Sequence, residues 1–370
     1  MGKLSDYQKL TAQLLSPAFF KEEQMDENET SAYIEKYKRV FELTKLRHVS
    51  ERFESPVESG IAVSKIATGF KYFDIALGGG IGEGEITAIS GPPGVGKSTF
   101  ALQFAENLSK NDIPILYFSY EMSAERVAAK SISRSYFLMG GKKDAISAME
   151  LMDLKNWKGG GKFTARNFLS DYKKAVSDVN DCGSYIFFFD CTVEPLSIDD
   201  IGRIVNNYIE VHQKKPVVFI DYLHMIPSPK DADGADLFGG DKAKIDYNMS
   251  RMRAIVSIYK CSIVFISALR KEDFKVEADM AGLMGSSSIA YNCDAIFGLQ
   301  FGAVDEKGFD IHKEQGLHPR RIEAVVIKSR YCEGGRKVRF DYFNKWDYFD
   351  DSAEKRGWKS SGYDKEGLAR

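Results

Sequence analysis

The stretch from Glu85 to Leu108 constrains this chain more than any other. The apolar run EITAIS leads into GPPGVGKS, Gly91 to Ser98, and the apolar-periodic STFALQFAENL follows. A G-x-x-x-x-G-K-[ST] pattern between a strand and a helix is a phosphate-binding loop. The main-chain N–H groups of its glycine-rich turn lie at a helix N-terminus, where unpaired donors and the helix dipole favour anions. Gly91, Gly94, Val95, Gly96, Lys97, Ser98 and Thr99 are therefore the expected nucleotide-binding residues. Gly94 and Gly96 let the main chain approach closely, Lys97 reaches the β- and γ-phosphates, and the Ser98 hydroxyl holds Mg²⁺. The expected ligand is ATP with Mg²⁺.

Two further segments belong with this loop. In PVVFIDY, four apolar residues end in Asp221, the form of a Walker B strand whose carboxylate orients the Mg²⁺ shell. In YFSYEMS, Glu121 ends the strand that follows the P-loop helix. By residue type alone, Glu121 is either a catalytic carboxylate facing the γ-phosphate or a capping acid for the helix beginning near Ser123.

From about Gly60 to Asp350, strand and helix patterns alternate, as in a mostly parallel α/β sheet with helices on both faces. Strands are expected at Glu85–Ser90, Ile113–Ser119, Tyr185–Asp190, Pro216–Asp221, Ser262–Ser267, Asp294–Phe301 and Arg321–Lys328. Runs such as VVFI and SIVFIS suit strands buried on both faces. Helices are expected at Ser98–Lys110, Ala124–Met139, Ala165–Val179, Ile198–Gln213 and Ile245–Tyr259, with a Gly- and Lys-rich helical excursion over 140–162. Residues 1–59 read as a short helical arm and linker. Ile34, Tyr37, Val40, Phe41 and Leu43 line one stripe of Ser31–Glu51, which ends before Ser55-Pro56. That stripe suits packing on its own domain as well as docking on a neighbouring subunit. Residues 351–370 read as a loose polar tail.

These motifs, in this order, resemble the RecA-like motor domain of DnaB-type replicative helicases. The run TGFKYFDIALGGGIGEGEITAISGPPGVGKST is similar to that family's TG…LD…GG lead-in and P-loop, and SYEMS to its Ser-x-Glu-Met strand end. IDYLHM resembles its IDYLQ-type Walker B, while FISALR and DMAGLMGSSSIAYNCDAIFGL resemble its third motif and the DLR-SGSIEQDAD segment. VIKSRYCEGGRKVRFDYF is similar to its Lys-x-Arg hairpin. The resemblance spans roughly Ala62 to Asp350. It implies a hexameric ring that hydrolyses ATP between subunits and threads single-stranded DNA, moving 5′ to 3′, with a replication loader as a possible partner. It further implies that Glu121 polarises the attacking water, that His224 senses the phosphate, and that Lys328 and Arg330 reach the neighbour's γ-phosphate as a finger in trans.

The chain also departs from that pattern. Ala268 stands where the third motif carries Gln, and His224 where Gln follows Asp-Tyr-Leu. The 59 leading residues are too few for the primase-engaging helical domain. The expected DNA-facing loop, Pro227–Lys244, sets Lys230, Lys242 and Lys244 against Asp231, Asp233, Asp236 and Asp241. Two functions therefore compete: a compact DNA translocase, as from a phage or mobile element, and a DnaB-like ATPase serving as a regulatory or assembly module. A recombinase-like or clock-type ATPase is disfavoured because SYEM, IDYLHM and the Lys-x-Arg hairpin occur together.

Composition narrows the remaining classes. No apolar run approaches the roughly 20 residues that cross a bilayer, so no membrane is expected as a partner. MGKLSDYQKLTAQLL lacks a secretory h-region, and Asp6 breaks the myristoylation pattern. Five cysteines without a CxxC pair read as reduced thiols of a cytoplasmic protein, and five dispersed histidines argue against structural zinc. A formal net charge of −2 lends nucleic-acid binding no support from composition, although a ring needs positive charge only on loops facing its channel.

Overall fold

A computed structural model describes residues 64–139, 145–153, 168–229, 235–238, 240–283 and 286–356. The chain divides into two units, Met1–Val63 and Ser64–Arg370, and every described residue belongs to the second. The expected arm at Ser31–Glu51 lies outside the described residues.

The main sheet has nine strands, and six of them are parallel. In spatial order these are β5 (Ile186–Asp190), β4 (Ile115–Ser119), β6 (Val217–Asp221), β7 (Ser262–Ala268), β3 (Ile86–Gly91) and β8 (Ala295–Phe301). Three antiparallel strands extend it beyond β8: β9 (Arg320–Lys328), β10 (Lys337–Phe343) and β11 (Tyr348–Asp350). A two-stranded antiparallel ribbon, β1 (Lys65–Ile66) with β2 (Ile81–Gly82), brackets the short helix α1 (Lys71–Ala76). This is the expected RecA-like α/β architecture.

Alternation along the strands explains why both faces are covered. In β4, Tyr117 joins one core, while Leu116 and Phe118 join the other. In β7, Val264 and Ile266 face the first core, and Ile263 and Phe265 the second. Helix α2 (Lys97–Ser109) covers the first face with Phe100, Phe104 and Leu108, and α3 (Ala124–Leu138) adds Val127. Beyond α3 come α4 (Ala148–Met152) and α5 (Phe168–Gly183). The second face is closed by α6 (Ile198–His212) and α7 (Asp241–Tyr259), through residues including Ile201, Val205, Met249 and Met252. Short helices α8 (Ser286–Asn292) and α9 (Ile311–Gln315) precede β8 and β9. Strands buried on both faces bring all six parallel C-terminal ends to one edge, where α/β sheets place their ligands.

Local differences from the sequence reading have physical causes. Helix α7 begins at Asp241, four residues before Ile245, because a polar first turn leaves no apolar periodicity to read. Lys242 and Lys244, read as channel-loop residues, therefore lie in this helix. Lys244 Nζ donates to the His224 carbonyl at 3.0 Å and pairs with Asp241 at 3.6 Å. Residues 351–356, read as polar tail, continue the fold. Asp351 accepts from the Tyr72 N–H at 2.6 Å, and α10 (Ala353–Arg356) buries Ala353 completely. No helix among the described residues is long and apolar enough to cross a membrane.

Candidate active site

Strand β3 delivers the P-loop to the C-terminal edge. Gly94 and Gly96 sit at φ +80 and +98, in the left-handed region that favours glycine. A Cβ at Gly94 would lie 2.8 Å from Gln315 Nε2, and one at Gly96 would lie 2.8 Å from both the Tyr342 and Phe349 rings. Val95 is fully buried, so it supports the turn from beneath. Helix α2 starts at Lys97 without any side-chain cap, leaving its first N–H groups for a ligand. The half-buried Lys97 donates from Nζ to the carbonyls of Gly91 at 2.8 Å and Pro92 at 3.1 Å. Burial lowers its pKa to about 8, against the opposing pull of Glu121 and Asp221.

The Mg²⁺-type donors meet beside it. Ser98 Oγ donates to Asp221 Oδ1 at 3.2 Å, bringing the tips of β6 and α2 together. Asp221 is 1% exposed, and burial pushes its pKa to about 7. Its Oδ2 is buried and makes no hydrogen bond. A buried carboxylate oxygen without a donor, next to a hydroxyl, fits a hard divalent cation and its water shell. Glu121 lines the same cleft, near enough for its charge to act on both Lys97 and Asp221. It does not cap α3. Ser123 is the N-cap, and the free N–H of Ala124 goes to Asp190 Oδ2 at 2.9 Å.

The cleft encloses about 460 Å³, a size suited to a nucleotide. Besides Gly94, Gly96, Lys97, Ser98, Thr99 and Glu121, its lining includes residues that sequence reasoning missed. Lys130 on α3 pairs with Asp347 and donates to Thr99 Oγ1 at 3.2 Å. Thr99 in turn donates to Asp347 at 3.2 Å, so its hydroxyl is held inside this cluster. Arg320, at the start of β9, donates from Nη1 to the Gly94 carbonyl at 2.7 Å and lies 5.9 Å from the Tyr342 ring centre. Helix α9 adds a bond from Gln315 Nε2 to the Pro93 carbonyl at 3.1 Å. Tyr222 lines the cleft, whereas His224 lies on the 3₁₀ turn Leu223–Met225 with its ring 6.0 Å from that of Tyr222. Ala268 pairs with Gly91 across the β3–β7 ladder and presents a methyl group to the cleft.

Lys328 and Arg330 lie elsewhere. Lys328 pairs with Ile296 at the beginning of β8, and its Nζ donates to the carbonyls of Ala290 at 2.6 Å and Cys293 at 2.7 Å. Arg330 pairs with Asp294 at 2.7 Å. The Asp294 N–H donates to the carbonyl of Ile86, the first residue of β3, whereas the P-loop leaves from Gly91 at the last. At about 3.3 Å per residue, those ends are about 17 Å apart.

A sequence model of the DnaB-like helicase C-terminal domain matches residues 65–351. The chain belongs to the DnaB-like helicase C-terminal domain family. The replicative DNA helicases DnaB of Pasteurella multocida and Haemophilus influenzae are each 23% identical to it, over 317 and 312 residues. Each alignment covers 82% of this chain, with 58% and 59% of those proteins. The chain thus spans about three fifths of the length of these relatives. A shorter match, 41% over 70 residues, links 19% of the chain to 16% of the DNA repair protein RadA of Helicobacter pylori. Two solved structures share the fold. One, an ATPase domain solved by itself, has a TM-score of 0.64 at 18% identity, covering 83% of this chain and 98% of that one. A DnaB-like replicative helicase studied with primase has a TM-score of 0.65 at 17% identity, covering 94% and 77%. At family level, this DnaB-like chain is a helicase motor.

Proposed function

We propose that this chain hydrolyses ATP at the interfaces of a ring, hexameric as the family resemblance implies, and threads single-stranded DNA through the channel. The observation that carries this reading is the position of Arg330, about 17 Å along β3 from its own P-loop. A guanidinium there cannot touch the γ-phosphate bound by its own Lys97, but it is free to act on a neighbour's. Within one subunit, Lys97 and the open N–H groups of α2 hold the phosphates, and Arg320 and Tyr342 flank the nucleotide. Ser98 and Asp221 would hold Mg²⁺, which supplies positive charge between the β- and γ-phosphates. Glu121 orients and polarises the attacking water. Arg330 from the adjoining chain then meets charge that develops on the γ-phosphoryl oxygens, with Lys328 setting the hairpin that carries it. Four of the five free thiols are buried, which suits a reducing cytoplasm.

One observation favours a second reading, an ATPase that does not unwind DNA. Ala268 offers no hydrogen bond where the cleft meets β7, so phosphate release has one polar contact fewer through which to move the adjoining loop. Stimulation of hydrolysis by single-stranded DNA separates the two readings.

The shared site is tested by mixing variants. Arg330→Ala should bind ATP yet turn over about 10³–10⁵ times more slowly. Lys97→Ala should also be inactive. Co-assembly of the two should restore activity, because some interfaces then pair an intact P-loop with an intact finger. Full activity of Arg330→Ala, or of a verified monomer, refutes the shared site.

A further inference from the structure

Three chain segments meet at Asp294, a residue that the phosphate cleft does not use. Its side chain is 3% exposed. Oδ2 accepts from the Ile86 N–H at 2.9 Å and from Arg253 Nη1 at 3.0 Å, and Oδ1 pairs with Arg330 Nη2 at 2.7 Å. The Arg330 side chain is 58% exposed, so its guanidinium is gripped on one side and open on the other. One engaged nitrogen leaves further N–H donors of the planar fork for a second anion. The flanking residues are tied down as well. Lys328 is fixed to the carbonyls of Ala290 and Cys293, and the Tyr331 hydroxyl donates to Glu85 Oε1 at 2.5 Å.

We propose that Asp294 is the positioning residue of the trans-acting finger: it holds Arg330 out from the N-terminal edge, oriented before it meets the neighbouring subunit's γ-phosphate. The proposal rests on the shared-site reading above. An exposed arginine next to a hairpin turn would otherwise sample many rotamers, and each lost orientation would have to be recovered in the transition state. Arg253 stays on the other carboxylate oxygen, so Asp294 remains paired while Arg330 shares its charge with phosphate. Asp294 also fixes the first N–H of β3, so the finger and the subunit's own P-loop hang from opposite ends of one strand.

Asp294→Asn keeps an oxygen for the Ile86 N–H and removes the charge that orients Arg330. Its kcat should fall by about 10²-fold with KM for ATP little changed, because its own P-loop is intact. Co-assembled with Lys97→Ala it should regain activity, as Arg330→Ala does. With Arg330→Ala it should not, since neither chain then brings an oriented finger. Asp294→Glu, which keeps the charge, should lose less, and it carries the same mixing test if the Asn variant fails to fold. An impaired Arg330→Ala beside a fully active Asp294→Asn overturns the proposal alone. A defect that no partner chain rescues also overturns it, by making Asp294 a residue of the fold. Full activity of Arg330→Ala removes the shared site and this inference together.

Discussion

Replacing Asp221 by Asn should stabilise the nucleotide-free protein while removing its Mg²⁺-dependent activity. Burial is the main reason that the Asp221 pKa rises from 3.8 to about 7. The charge of Glu121 adds to the rise, and the Ser98 hydrogen bond, Lys97 and Lys130 oppose it. The difference corresponds to about 4 kcal/mol of destabilisation carried by the ionised carboxylate above pH 7. Asn carries no charge, but an unpartnered amide at the Oδ2 position costs about 1–3 kcal/mol. The net gain of about 2 kcal/mol should raise Tm by about 4–8 °C in a domain of this size. The sign follows from proton linkage. Because the folded-state pKa lies above the unfolded one, the native wild type takes up the extra proton, and its penalty fades as pH falls from about 7 towards 3.8. Thermal unfolding at pH 8 and pH 5 should therefore show an advantage for Asn only at the higher pH. Adding ATP and Mg²⁺ at pH 8 should invert the order, since the cation stabilises only the carboxylate form. An Asn variant that is less stable at pH 8, or a difference that ignores pH, would refute the reasoning.

Glu121→Gln should still bind ATP but lose most turnover, because the amide keeps the shape of the side chain without the basicity. Lost binding with normal turnover per bound nucleotide would make Glu121 structural instead. Lys97, with its pKa lowered to about 8, should regain its full charge against a bound triphosphate, so binding should take up a proton near and above pH 8 and weaken as pH rises further. Calorimetry in buffers of different ionisation enthalpy measures that uptake, and its absence at pH 8.5 would show that Lys97 is already charged in the free cleft.

The parts of the site that could be read from sequence are those whose chemistry is local. The P-loop is eight consecutive residues, Asp221 ends an apolar strand, and Glu121 lies two residues beyond β4. Arg320 and Tyr342 carry no such signal. They reach the P-loop because β9 and β10 pair antiparallel, with Arg320 opposite Tyr342, and that register comes from strands added beyond β8. Lys130 faces the cleft only because α3 runs back along α2, which no spacing in the sequence specifies. Asp190 reads as a mere strand end until the β4–β5 ladder sets it opposite Ser119, from where it caps α3 and leaves Glu121 to the cleft. His224 shows the reverse case. The sequence places it next to the Walker B strand, but the turn after Asp221 gives Tyr222 the position lining the cleft.

The division of charge between the two edges of the sheet bears on how such a motor would work. Lys97, Lys130 and Arg320 all lie in the cleft of the subunit that owns the P-loop, although Asp347 already offsets Lys130. These groups meet a triphosphate in its ground state, so they contribute to binding whether or not a neighbour is present. Arg330, at the opposite edge, contributes only after another subunit has docked. The charge it meets is largest when the γ-phosphoryl group is in transit, so its interaction lowers the barrier more than it tightens binding. On this arrangement, the chain separates affinity from rate in space. Affinity belongs to one chain and rate to a pair, which makes ring closure itself the step that turns on hydrolysis.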